Sequence, residues 1–297
     1  MEKVLAMEQS PNMIAGKDFT AEPVFPNSDF SLRSIDLSTG VSMEYVECGE
    51  TNNDVIIFLH GWLDSWYSWS QVVGQFTDRY HVFVPSLRGH GLSSKPDTSY
   101  SMKEHALDLR AFMDQLGIAS SSFVGHSMGA VICQQLGFDV PNRVEKIVLV
   151  GGAANITKNR PVTELVDLVS TLQDPVDQTM VKEFVQSLFY RDFSDNIFFV
   201  DRLVREELLV EAVTWRNGLD SIMAVDNRPD LPRIKSPTLV IWGDQDQLFS
   251  EQDQTDLIEG IPNSELLIWE NVGHAMQWED PQRMVRDVRE FLSLSAH

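Results

Sequence analysis

With 297 residues, 43% of them apolar, the chain suits one large α/β domain or a core domain carrying an insertion. Its net charge of −21 repels phosphate backbones and anionic lipids, so neither nucleic acid nor a membrane surface is an expected partner. No apolar run approaches the ~18–20 residues of a membrane span. Val4-Leu5-Ala6-Met7 after Lys3 is too short for a signal peptide, so a cytoplasmic location is expected.

Residues 1–29 lack periodicity and contain Pro11, Pro23 and Pro26, which reads as an N-terminal arm. Residues 30–48 read as a hairpin, with alternating stretches (Leu32, Ile35, Leu37; Val41, Met43, Tyr45, Val46) around Ser38-Thr39-Gly40. Val55-Ile56-Ile57-Phe58-Leu59 and His81-Val82-Phe83-Val84-Pro85 are continuous β-favouring runs of the kind buried parallel strands show. Trp62, Trp66, Tyr67 and Trp69 open a helix between them. A helix over 102–116 places Leu109, Phe112, Met113 and Leu116 on one face.

Phe123 and Val124 then lead into Gly125-His126-Ser127-Met128-Gly129, followed by the helix-like run Ala130-Val131-Ile132-Cys133-Gln134-Gln135-Leu136. A serine on a tight strand-to-helix turn is held in a strained backbone with its hydroxyl exposed, and small residues on either side let neighbouring backbone approach. The following helix N-terminus favours negative charge there. Ser127 is therefore the candidate nucleophile.

Lys146-Ile147-Val148-Leu149-Val150 is a further strand. From about 155 to 233 no strand appears, only helical pieces rich in Leu, Val, Phe and Trp, which reads as a helical cap inserted into the sheet domain. Strands resume at Thr238-Leu239-Val240-Ile241-Trp242 and Leu266-Leu267-Ile268-Trp269. Asp280-Pro281 starts the last helix, which buries Met284, Val285, Val288, Phe291 and Leu292. The fold class is α/β, with a mostly parallel central sheet flanked by helices. Its parts are an arm (1–29), a core (30–154 and 234–297) and a cap (155–233).

The two strands after the cap are followed by Gly243-Asp244-Gln245-Asp246 and by Gly273-His274. Acid and histidine thus leave the C-terminal ends of successive strands, the edge on which Ser127 also lies. Serine needs a base to attack at neutral pH, and an acid fixes the histidine tautomer. Asp246 is preferred to Asp244, which is nearer the strand and better placed to shape the turn. Cys48 and Cys133 have neither metal nor redox spacing, and nothing supports a disulfide between them. The histidines and acids show no ligand spacing, so no metal and no cofactor are expected. His60 reads as a brace for its loop, and His90 as structural. Trp62 is the candidate to line the substrate pocket. His126 is a second substrate-contact candidate, with a structural role as its plainer reading.

His60-Gly61-Trp62, Arg88-Gly89-His90-Gly91, Gly125-His126-Ser127-Met128-Gly129, Trp242-Gly243-Asp244-Gln245-Asp246 and Gly273-His274, with Glu279 and Pro281 following, occur in this order over nearly the whole chain. In this the chain resembles the α/β-hydrolase fold superfamily, in the cap-bearing branch with a serine nucleophile. The resemblance implies Ser127 as nucleophile, Asp246 as acid, His274 as base, and an oxyanion hole from the backbone N–H groups of Trp62 and Met128. Ser86 stands where the family commonly has Asp, which puts the support of Arg88 in question. Dehalogenases and epoxide hydrolases of this branch carry Asp at the nucleophile position, so Ser127 argues against both.

The leading expectation is a cofactor-free serine hydrolase for a small to medium, largely apolar carboxylic ester or lactone, acting through an acyl-enzyme. A carbon–carbon bond hydrolase or an acyltransferase would use the same triad. A cofactor-independent dioxygenase and a ligand-binding receptor that retains a triad are alternatives on the same fold. Oligomeric state and natural substrate are left open.

Overall fold

The computed structural model describes residues 30–191 and 196–294; the expected arm at 1–29 lies outside them. Eight strands form one sheet in the order β1-β2-β4-β3-β5-β6-β7-β8. Strands β1 (Ser31–Asp36) and β2 (Ser42–Cys48) make the hairpin, with Ile35 opposite Met43. β2 pairs antiparallel with β4 (Tyr80–Pro85). From β4 onward every pairing is parallel, through β3 (Asp54–Leu59), β5 (Ser121–His126), β6 (Val144–Val150), β7 (Thr238–Gly243) and β8 (Ser264–Trp269).

Helices on both faces explain why the parallel strands are apolar throughout: every residue of β5 and of β7 is buried. β8 departs from that expectation. It is an edge strand, and Ile268 in its apolar run is 40% exposed. The helix Met102–Gln115 starts with a capping box between Ser101 and Glu104 and buries Leu109, Phe112 and Met113 against the sheet. In the last helix, Pro281–Ser293, Asp280 caps the N-terminus by accepting from the Arg283 N–H; Val285 is only partly buried, whereas Met284, Val288, Phe291 and Leu292 are core. The aromatic segment after Trp62 forms a single 3-10 turn, Trp66–Trp69.

Between β6 and β7 there are helices and no strand among the described residues, in pieces such as Gln178–Ser187, Ile197–Glu207 and Ala212–Met223. A lone bridge between Asn155 and Asp226 joins the beginning of this segment to its end. The segment is fastened over the C-terminal edge of the sheet. Tyr100 Oη lies 2.9 Å from Thr214 Oγ1, Ser65 Oγ donates to Glu206 Oε2 at 2.8 Å, and Asn159 Nδ2 donates to the Leu248 carbonyl at 2.8 Å.

The substituted position Ser86 is braced from a different direction. Its hydroxyl donates to Glu44 Oε2 at 2.9 Å and accepts from the Trp66 N–H. Arg88 is held instead by Asp108, with Nε donating to Oδ2 at 2.6 Å and Nη2 to Oδ1 at 2.7 Å. Among the described residues no helix is long and apolar enough to cross a membrane.

Candidate active site

β5 stops at His126, and the helix Met128–Asp139 begins two residues later, so Ser127 must make the whole turn. It does so at φ 52° and ψ −114°, a strained conformation for a residue with a side chain. The Ser127 N–H donates to the Val150 carbonyl at 2.9 Å, which pins the turn to β6. The two flanking glycines are required by contact. A Cβ on Gly125 would lie 2.3 Å from the Gly129 carbonyl oxygen, and one on Gly129 would lie 2.5 Å from that of Leu59.

His274 and Asp246 arrive from the loops after β8 and β7. His274 Nδ1 is 2.9 Å from Asp246 Oδ2. The other oxygen, Oδ1, accepts the backbone N–H groups of Leu248 and Phe249 at 2.8 and 3.1 Å, so the carboxylate is fixed at both ends. Asp244 turns away and accepts the Asn271 N–H at 2.6 Å, shaping the loop that delivers His274. Glu279 accepts the Gly273 N–H at 2.8 Å and the Tyr190 N–H at 3.0 Å, which ties the His274 loop to the inserted helical segment. Burial pushes the Glu279 carboxyl above the ordinary carboxylate range, against the pull of those N–H donors.

His60 accepts the Leu87 N–H on Nε2 at 2.9 Å, so its proton is on Nδ1, which donates to the Gly61 carbonyl at 2.7 Å. It braces the loop that carries Trp62. Burial holds His60 well below its ordinary pKa and so keeps it neutral. His126 is also fully buried and shifted downward by burial; its Nε2 donates to the His274 carbonyl at 3.1 Å.

One cavity of about 40 Å³ brings Ser127 and His274 together with Gly61, Trp62, Asp64 and His126. Its opposite wall is apolar: Val162, Leu165, Phe184, Leu188, Leu219 and Ile222 come from the inserted segment, Leu248 and Phe249 from the loop after Asp246. Trp62 lies edge-on to Phe184 and Trp215, at centroid distances of 5.8 and 5.5 Å, so it both lines the cavity and packs on the segment that covers it. Among the described residues no group of His, Cys, Asp and Glu is placed to hold a metal ion, and Cys48 and Cys133 are buried free thiols.

The family model for the alpha/beta hydrolase fold matches residues 54–281. The chain belongs to the alpha/beta hydrolase fold family. The 3-oxoadipate enol-lactonase 2 of Acinetobacter baylyi is 29% identical over 243 residues, covering 82% of this chain and 90% of that protein. The 2-hydroxy-6-oxononadienedioate/2-hydroxy-6-oxononatrienedioate hydrolase of Burkholderia vietnamiensis is 30% identical over 267 residues, covering 86% and 92%. The crystal structure of the enol-lactonase from Burkholderia xenovorans LB400 is similar with a TM-score of 0.79 at 22% identity, over 88% of this chain and 100% of that one, a likeness of fold.

Sequence reading of this hydrolase missed two acids beside the candidate site. Asp64 faces the cavity and holds the Gly61 N–H on Oδ2 at 3.3 Å. Its place four residues after His60 was the available signal. Glu207 is only 1% exposed at the end of the helix Ile197–Glu207. In the sequence it sits in a run of charged residues (Arg205-Glu206-Glu207) that reads as a solvated helix face, and no local pattern distinguishes it.

Proposed function

We propose that this hydrolase cleaves small to medium, largely apolar carboxylic esters or lactones through an acyl-enzyme on Ser127. The observation that carries the reading is His274, paired with Asp246 at 2.9 Å, on the same cavity as a serine strained at the turn after β5.

In this reading Asp246 keeps the His274 proton on Nδ1, which leaves the Nε2 lone pair to accept the Ser127 proton. Ser127 Oγ attacks the carbonyl carbon, and the carbonyl π electrons move onto oxygen. The backbone N–H groups of Trp62 and Met128 and the N-terminus of the helix Met128–Asp139 stabilise that oxyanion. Collapse breaks the ester C–O bond, and the alcohol leaves with the proton from His274. Water, deprotonated by His274, then attacks the acyl-enzyme and releases the acid.

Residues 155–233 act as the cap, whose apolar wall selects apolar substrates and keeps bulk water from the reaction. The cavity of about 40 Å³ is far below the ~300–1,000 Å³ of small-molecule pockets, so the wall residues must separate to admit substrate. The Acinetobacter baylyi relative, an enol-lactonase, supports the ester or lactone class. Carbon–carbon bond hydrolysis with the same residues is the second reading, favoured by the Burkholderia vietnamiensis relative.

The test is a panel of p-nitrophenyl esters and small lactones with wild type and Ser127→Ala. Turnover by wild type that vanishes in the variant supports the proposal. Fluorophosphonate labelling of Ser127 without ester or lactone turnover moves the weight to the carbon–carbon substrate. Neither turnover nor labelling overturns both readings.

A further inference from the structure

Two donors fix one oxygen of Asp64, while its other oxygen is idle. Oδ2 accepts the Gly61 N–H at 3.3 Å and the Ser68 hydroxyl at 3.2 Å. Ser68 Oγ in turn accepts from Trp278 Nε1 and Gln277 Nε2, at 3.1 and 3.3 Å, which directs its proton to Asp64. The carboxylate therefore cannot swap its oxygens freely. Oδ1 has no hydrogen-bond partner among the described residues, although the side chain is only 3% exposed and lines the cavity with Ser127 and His274.

The neighbours offer Oδ1 little. His126 uses its Nε2 proton on the His274 carbonyl, so its Nδ1, 3.8 Å from Asp64 Oδ2, bears a lone pair. Glu207, at the end of the helix Ile197–Glu207, is buried with no hydrogen-bond partner for either oxygen among the described residues. Burial first, and then the Asp64 charge, push its carboxyl well above the ordinary range. Asp64 Oδ1, His126 Nδ1 and both Glu207 oxygens are thus left without a hydrogen-bond partner among the described residues. Buried acceptors left unpaired are costly, and an apolar group against them would leave them so. The group that completes this end of the cavity is a hydrogen-bond donor.

We propose that Asp64 Oδ1 is a specificity subsite that accepts a hydrogen bond from a hydroxyl or amide N–H of the substrate. The inference rests on the ester or lactone reading above and narrows it: the preferred substrate is apolar except for one neutral donor. A site built to take a hydrogen bond rejects the analogue lacking it far more strongly than an apolar pocket rejects an extra methyl group.

The experiment compares kcat/KM within matched pairs in which a hydroxyl replaces a methyl. On the acyl side the pair is p-nitrophenyl 3-hydroxybutyrate and p-nitrophenyl 3-methylbutyrate; on the alcohol side it is 2-hydroxyethyl acetate and propyl acetate. Wild type is expected to favour the hydroxyl member of one pair by roughly ten- to hundredfold. In Asp64→Asn, Gly61 and Ser68 keep the amide oxygen at the Oδ2 place and put the NH2 group at the Oδ1 place, so the ratio should fall to one or below. Because the wild-type ratio is read without any variant, a variant that fails to fold leaves the test intact. Equal cleavage within both pairs overturns the subsite while the ester reading stands. A wild-type preference that survives unchanged in Asp64→Asn overturns the assignment to Asp64. No cleavage of any member, with no fluorophosphonate labelling of Ser127, overturns the ester reading and the subsite with it.

Discussion

His274 faces Asp246 across 2.9 Å, and a carboxylate that only accepts leaves the ring proton on Nδ1 and a lone pair on Nε2. Asp246→Asn offers an amide NH2 to Nδ1 and drives the ring to the opposite tautomer. We expect kcat on an activated ester to fall by roughly 10³–10⁴. The melting temperature should change little if the amide oxygen keeps the Leu248 and Phe249 N–H bonds. Steady-state kinetics and a thermal melt on the same preparation check both.

Gly129→Ala should be damaging where Gly117→Ala is mild. At Gly129 the new methyl would lie 2.5 Å from the Leu59 carbonyl oxygen and 2.8 Å from that of His60, both backbone atoms. A loss of about 1–3 kcal/mol is expected, together with most of the activity, because the Ser127 turn must shift. Gly117 has φ +69° but open space around it. There the expected cost is only ~1–2 kcal/mol of backbone strain, with activity retained. Urea denaturation separates the two.

Arg88 and Asp108 form a buried bidentate pair, and Asp108 also accepts from Thr39 Oγ1. Asp108→Ala leaves a guanidinium buried without its counter-charge and should cost about 3–5 kcal/mol. The double variant Arg88→Met/Asp108→Leu should lose less than the sum of the single losses. Denaturation midpoints of the three variants test this; additive losses would show that the pair is not coupled.

Stability should decline on the acid side through a cluster of neutral histidines. His60, His90 and His105 are fully buried, and burial lowers all three, His90 to about 4 and the other two well below their ordinary value. Their folded-state affinity for protons is reduced, so the unfolded chain binds more protons once pH falls below about 6.5. Stability is complete above that pH and falls from it downward, through about 4, where His90 protonates even in the folded chain. His105 has no hydrogen-bond partner for either ring nitrogen among the described residues. His105→Leu should therefore leave stability at neutral pH nearly unchanged and make its decline between pH 6 and 4 shallower. Unfolding free energies measured at several pH values check the slope.

The strands, the helix cap at Asp280 and the serine turn could be read directly from the chain, because each depends on neighbours within a few residues. A helix start needs a capping acid and a proline side by side, and a tight turn needs glycines two positions from its serine. The partner of Arg88 could not be read in this way. With Ser86 in place of the usual acid, Asp108 supplies the counter-charge from a helix twenty residues on. The exposure of β8 was equally hidden, since an apolar run looks the same at a sheet edge as in its middle.

Chain order placed Ser127, Asp246 and His274 at strand ends, but the sequence alone does not say how far apart they stand or which oxygen meets which nitrogen. The tertiary structure decided that, through the parallel register of β5, β6, β7 and β8. It also decided what surrounds them. Asp64 sits in an aromatic stretch and Glu207 in a charged run, and only folding of the helical segment over the sheet edge removes both from water. Periodicity and turn chemistry are local, so sequence carries them; burial of a charge depends on which distant surface closes over it, and that is known only once the chain has packed.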